Sequence, residues 1–216
     1  MNNRSIIREQ IRETGLKMLG SGLVVGTWGN ISARVPGEDL IAITPSGMNY
    51  DVLQPEDIVL VALNGEVKEG ERKPSIELPL HLAIYCARKD IQAVVHTHSA
   101  YATAMAAARK PIPGAVEDLV QIVGGDVRVC EYALPGTAQL GANAVKALEG
   151  RNAVLLPNHG MVGAGTNLDE ALKICQVVEK SAKITILAQA VGGVVELSQE
   201  DTAAMRDFYL HKYGQR

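Results

Sequence analysis

The residues best suited to chemistry are His96 and His98, which close the apolar run Ala93-Val94-Val95, and His159, which follows a second apolar run, Asn152 to Leu156. Strand side chains alternate between faces, so His96 and His98 point to the same side. On its own such a pair reads either as polar residues at a strand end or as two metal ligands. Three histidines delivered to strand ends match the three-ligand, one-open-position arrangement of a catalytic zinc site. A divalent metal held that way acts as a Lewis acid on a carbonyl and stabilises an enolate or enediolate. A carboxylate must then move the proton, and Glu77, at the start of a helix, is the best candidate. At that position a carboxylate can also simply complement the helix dipole.

Two turns rich in hydroxyls and glycine stand upstream. Gly26-Thr27-Trp28-Gly29-Asn30-Ile31-Ser32 and Thr44-Pro45-Ser46-Gly47-Met48 can each expose backbone N–H groups to an anion, or serve as ordinary tight turns. Together with the histidines and Glu77 they suggest metal-assisted carbon–carbon or proton chemistry on a phosphorylated carbonyl compound. Glu117 and Asp118 sit in the otherwise apolar segment Pro113 to Val123, as an exposed edge or a functional pair. His81, amid Leu78, Leu80, Leu82 and Ile84, reads as a satisfied, partly buried histidine.

The elements that must position these groups follow from periodicity. Ser5 to Leu19 is an amphipathic helix. Ile31 to Val35, Asp39 to Thr44 and Asp57 to Leu63 are strands, and Asn64-Gly65 predicts a type I′ hairpin turn into Glu66 to Lys68. Ser75 is the expected N-cap of a helix running from near Glu77 to Arg88, with Pro79 tolerated only in its first turn. Ala100 to Ala108 and Ala138 to Leu148 are helices, and Val127 to Ala133 is a strand. Asn167 to Glu170 is a capping box opening a helix to about Ala190, and Ser198 begins a last helix carrying Phe208, Tyr209 and Tyr213, as a packed tail or a lid.

The 216-residue chain is long enough for one domain with a full core, 1–216, and its net charge of -3 leaves no basic footprint for nucleic acid. No apolar run reaches the roughly 18 residues that span a bilayer, and Met1 to Ser5 lacks the apolar core of a signal peptide, so a cytoplasmic protein with a small-molecule partner is expected. Cys86, Cys130 and Cys175 show no paired spacing; all are expected to be reduced, with Cys86 and Cys175 in the core.

The segments Gly26 to Ser32, Thr44 to Gly47, Lys73-Pro74-Ser75-Ile76-Glu77, His96-Thr97-His98 and Asn158-His159-Gly160 together resemble the class II aldolase/adducin-head family, in particular its L-fuculose-1-phosphate aldolase branch. The resemblance implies a three-layer α/β/α domain with a central, largely antiparallel sheet, assembled as a homotetramer with sites between subunits. It implies a Zn²⁺ ion on His96, His98 and His159, and Glu77 as the acid/base. It makes Thr27, Gly29, Asn30, Ser46, Gly47 and Ser75 the phosphate cradle of a sugar phosphate, which is cleaved to dihydroxyacetone phosphate and an aldehyde.

Two departures bear on the substrate. Ile76 stands where the sugar-phosphate aldolases commonly have a second serine. Where they carry a tyrosine proton carrier, counting from His98 places Glu117 and counting back from Gly124-Gly125 places Asp118. Tyr213 resembles a tyrosine of the family's mobile tail, whereas Leu210 replaces a usual aromatic. These differences point to another aldehyde, such as that of 5-deoxyribulose or methylthioribulose 1-phosphate. Methylthioribulose-1-phosphate dehydratase is the alternative within the fold; a ribulose 5-phosphate epimerase usually has aspartate at the position of Glu77. A non-catalytic adducin-like head would not need the three histidines and the glutamate together.

Overall fold

Short strands of near-continuous apolar residues, buried on both faces, call for a layer of helices on each side. The computed structural model, which describes residues 2–214, has that arrangement. The elements are α1 (Asn3–Gly20), β1 (Asn30–Arg34), β2 (Leu40–Ile43), β3 (Val59–Ala62), β4 (Val67–Glu69), α2 (Leu78–Ala87), β5 (Ala93–Thr97), α3 (Ala100–Ala107), α4 (Glu117–Val123), β6 (Arg128–Val129), α5 (Ala138–Ala147), β7 (Ala153–Leu156), β8 (Gly160–Gly165), α6 (Leu168–Ala188) and α7 (Gln199–His211). The strands form one eight-stranded sheet in the order β4-β3-β2-β1-β5-β8-β7-β6. Every pairing is antiparallel except β6 with β7, so the expected three-layer, largely antiparallel α/β fold is what the chain adopts.

The two-residue strand period divides the core in two. Ile41, Val59, Val94, Val154 and Val162 face Leu80 and Ile84 of α2 and Leu140 and Ala144 of α5. Ile31, Ala42, Val95, Leu155 and Met161 face α1, α3, α4 and α6. His96 follows Val94 by two residues, so it shares the α2 face. In the antiparallel register Asn30 lies directly opposite His96, and Ser32 opposite Val94, which places both polar residues of β1 on that same face.

Several local expectations are corrected. α2 begins at Leu78 with Glu77, not Ser75, at its N-cap position; Ser75 Oγ instead accepts from the Glu77 backbone N–H at 3.2 Å. The β3–β4 turn is not type I′, because Asn64 is not left-handed and only Gly65 has positive φ there; the Asn64 side chain accepts from the Glu66 N–H at 3.0 Å. The strand expected over Val127 to Ala133 shrinks to Arg128–Val129. Cys86 is exposed, since α2 turns Leu80, His81, Ile84 and Tyr85 inward and leaves Cys86 on its outer face; Cys130 and Cys175 are buried. Two elements were not anticipated: the seven-residue α4 and the glycine-rich strand β8. Among the described residues, no helix is long and apolar enough to cross a membrane.

Candidate active site

The site forms where β1, β5 and the β7–β8 hairpin meet the N-terminus of α2. Two glycines permit this approach. A Cβ at Gly160 would lie 2.2 Å from the Thr97 carbonyl oxygen, and one at Gly29, whose φ is +83°, would lie 2.7 Å from the His96 carbonyl oxygen. Backbone this close excludes any larger residue. Beside Gly160, the hairpin loop turns through Asn158 at φ +56°, with the His159 N–H bonded to the Leu156 carbonyl at 3.1 Å. That turn holds His159 over the end of β5.

The three imidazoles stand nearly edge to face, with ring centroids 4.7 to 4.8 Å apart. One ligand atom from each of Glu77, His96, His98 and His159 lies within 4.8 Å of all the others. Glu77 Oε2 is 2.9 Å from His96 Nε2, Glu77 Oε1 is 3.2 Å from His159 Nε2, and His96 Nε2 is 2.9 Å from His98 Nε2. His96 Nδ1 lies 2.9 Å from the Met161 carbonyl oxygen; it can only donate there, which frees Nε2 as a ligand nitrogen. Glu77 Oε1 is buried with no hydrogen-bond partner. Burial, reinforced by His96 and His159, lowers the pKa of His98 to about 3, and burial reinforced by His96 lowers that of His159 to about 4, keeping both neutral. Burial also opposes charge on His96, but the Glu77 carboxylate outweighs it and raises that pKa. For Glu77 burial favours the neutral acid, but His96, His159 and the Asn30 amide hold it well below the usual carboxylate range. An ionised carboxylate with an orphan oxygen among three imidazoles is the donor set of a divalent metal site.

A cavity of about 320 Å³ opens beside this group, and Glu77, His98 and His159 form part of its wall. Thr27, Gly29, Asn30, Ser46, Gly47 and Ser75 line it too, so every residue expected in the cradle meets around one space. The second hydroxyl-rich turn is tied to the Glu77 segment through the backbone: Ser46 N–H donates to the Lys73 carbonyl at 2.9 Å and Ser75 N–H to the Thr44 carbonyl at 3.0 Å. Thr44 Oγ1 accepts from the Ile31 N–H at 3.1 Å, and the Tyr50 hydroxyl donates to the Gly29 carbonyl at 2.9 Å.

Glu117, Asp118 and Tyr213 do not line this cavity. Glu117 and Asp118 form the first turn of α4, where acids suit the helix dipole, and Asp118 pairs with Lys180 of α6. Tyr213 stacks on Tyr209 with centroids 5.5 Å apart. Ile76, already singled out in the sequence, lies in the wall, but sequence reading missed its other apolar members, Trp28 and Pro135. The Trp28 ring lies 5.6 Å from that of His98 and is 64% exposed. As the chain's single tryptophan, set beside Gly29, it was the available signal.

The model of the class II aldolase and adducin N-terminal domain matches residues 9–186. A 5-deoxy-D-ribulose 1-phosphate aldolase of Bacillus thuringiensis serovar kurstaki is 41% identical over 209 residues, covering 97% of each chain. A 5-methylthioribulose-1-phosphate/5-deoxyribulose-1-phosphate aldolase of Rhodospirillum rubrum is 41% identical over 182 residues, 84% of this chain and 80% of that one. Among solved structures, an L-fuculose 1-phosphate aldolase superposes with a TM-score of 0.91 at 42% identity, covering 94% of this chain and 96% of that one.

Proposed function

The chain belongs to the class II aldolase and adducin N-terminal domain family, and from that premise we propose that it cleaves 5-deoxyribulose 1-phosphate to dihydroxyacetone phosphate and acetaldehyde. The observation that carries this reading is the Glu77 carboxylate set between His96 and His159 in the wall of a cavity ringed by hydroxyls and glycines. The substrate is supported by the 41% identity to two aldolases named for 5-deoxyribulose 1-phosphate. Trp28 and Ile76 add to that support, presenting apolar surface where a hydroxylated aldehyde would need polar partners.

His96, His98 and His159 would hold one Zn²⁺ per subunit, with the Glu77 carboxylate beside them. The metal supplies Lewis acidity that stabilises the charge left when the carbon–carbon bond breaks. Thr27, Gly29, Asn30, Ser46, Gly47 and Ser75 bind the phosphate through hydroxyl, amide and backbone N–H donors, fixing C3 of the ketose near Glu77. Removal of the C4 hydroxyl proton breaks the C3–C4 bond; its electron pair passes towards C2, and Glu77, protonated from solvent in the substrate complex, delivers that proton to C3 to complete dihydroxyacetone phosphate. The C4 hydroxyl proton goes to a group that a neighbouring copy of a homotetramer brings over the mouth, for which Glu117, Asp118 and Tyr213 are the candidates.

The test is a panel of 5-deoxyribulose, methylthioribulose and L-fuculose 1-phosphates coupled to a reductase of dihydroxyacetone phosphate. We expect oxidation of reduced nicotinamide with all three, fastest with the 5-deoxy compound. Consumption of methylthioribulose 1-phosphate without that oxidation identifies a dehydratase, and silence throughout rules out the aldolase assignment for these substrates.

A further inference from the structure

Behind Glu77 a line of side chains runs into the core between β1 and α2, and the metal group does not account for it. Residues two apart on a strand are separated by about 6.6 Å and residues four apart on a helix by about 6 Å. Asn30 and Ser32 of β1 can therefore alternate with Glu77 at the N-cap of α2 and with His81 and Tyr85 within it. They do: Asn30 Nδ2 donates to Glu77 Oε2 at 2.9 Å, His81 Nε2 lies 2.5 Å from Asn30 Oδ1, Ser32 Oγ lies 2.5 Å from His81 Nδ1, and Tyr85 Oη lies 2.9 Å from Ser32 Oγ. All five residues are buried, and Ser32, His81 and Tyr85 are fully so.

The charge at one end sets the direction of every bond. An ionised carboxylate only accepts, so the Asn30 amide must turn its nitrogen to Glu77 and its oxygen to His81. That oxygen needs a donor, which makes His81 the Nε2–H tautomer with a bare Nδ1. The Ser32 hydroxyl must then donate to Nδ1, and its oxygen accepts from the Tyr85 hydroxyl. Burial pushes the His81 pKa down to about 3, in keeping with a neutral ring. The two oxygens of Glu77 are thereby made unequal: Oε2 is held by Asn30, whereas Oε1 has no hydrogen-bond partner.

We propose that His81 is a positioning residue for the proton-carrying carboxylate. As its Nε2–H tautomer it locks the Asn30 amide with Nδ2 towards Glu77 Oε2, leaving Oε1 as the oxygen that takes and gives the proton. The role of Oε1 rests on the aldolase reading; the tautomer of His81 does not.

Two measurements test it. In the metal-loaded protein labelled with ¹⁵N-histidine, nitrogen–proton correlation spectra at neutral pH should show His81 neutral and protonated on Nε2. Exchange of solvent deuterium into dihydroxyacetone phosphate isolates the Glu77 step without any aldehyde. His81→Phe, which removes the donor, should lower the exchange kcat about tenfold or more, the loss expected for one hydrogen bond to a charged network, with metal content and KM unchanged within about twofold. His81→Gln restores an N–H donor and should recover most of that loss. A charged or Nδ1-protonated His81, full activity in His81→Phe, or equal loss in both variants would overturn the proposal. If His81→Phe does not fold, the tautomer and the activity of His81→Gln still decide it. Absence of exchange in the unaltered, metal-loaded enzyme would count against the aldolase reading and the proton role of Oε1, while the spectra still judge how His81 holds Asn30.

Discussion

The inner and outer walls of the site are built on opposite plans. Inward, Asn30, His81, Ser32 and Tyr85 form a buried line in which each polar atom facing the next has a partner. Outward, Trp28 and Ile76 present exposed apolar surface, at 64% and 68%, and the acid pair of α4 and the aromatic tail stand away from the cavity. The inner wall fixes the orientation of the carboxylate and so belongs to the reaction as such. The outer wall is left open, and under the proposed function it is there that one aldehyde would be distinguished from another. If that reading holds, mutations on the two walls should separate chemistry from selectivity.

The largest effect is expected at the boundary. Glu77→Gln keeps the shape and the metal ligands His96, His98 and His159 but cannot carry the proton; turnover should fall about 10²–10⁴-fold with metal content retained, measured by steady-state kinetics and elemental analysis. An active, metal-loaded variant would remove Glu77 from the mechanism. On the cradle side, Ser75→Ala should raise KM for the phosphorylated substrate about tenfold, as expected for one lost hydrogen bond to a charged group, with little change in kcat. A fall in kcat alone would mean that Ser75 acts through Glu77, to whose backbone N–H it is bonded.

Within the inner wall, pH offers a further probe. His81 has a folded pKa of about 3 against an ordinary 6.5, so below pH 6.5 the unfolded chain binds a proton that the folded chain refuses. Stability should therefore fall as pH drops from about 6.5 towards 3, by about 1.4 kcal/mol per unit from this one group. Denaturant titrations of the unaltered protein and His81→Gln should differ by that slope; identical slopes would show that His81 takes up a proton in the fold. The smallest effect is expected outside. Asp118→Asn breaks a half-exposed pair with Lys180, which should cost no more than about 1 kcal/mol of stability. A loss of turnover well beyond that would assign Asp118 to the mouth of a neighbouring subunit's site.

Much of this was legible in the sequence, because the two-residue period of Ala93 to His98 and the apolar approach to His159 state directly which side chains converge. The cradle was legible only through the family resemblance, because glycines and hydroxyls in short turns serve equally well in ordinary tight turns. Strand β8 was hidden by the residues that make it possible. Cβ atoms at Gly163 and Gly165 would come within 2.8 Å and 2.7 Å of the Ala171 backbone in α6, so a central strand carries the glycines that local propensity treats as breakers. α4 is only seven residues long, too short to display a helical period. Cys86 misled because nearly every position of α2 is apolar or small, and only contact with the sheet tells its faces apart. The line from Glu77 to Tyr85 is written in sequence as Asn-x-Ser on β1 and Glu-x₃-His-x₃-Tyr on α2. Its meaning appears only when β1 and α2, far apart in sequence, are laid side by side.

The most direct test of the central claim, that this histidine–glutamate group runs a metal-dependent cleavage, is the rate of dihydroxyacetone phosphate release from 5-deoxyribulose 1-phosphate before chelation, after it, and after Zn²⁺ is restored. Cleavage is expected to vanish with chelator and return with about one Zn²⁺ per chain. Cleavage that persists at full rate in protein shown to be free of metal would contradict the claim.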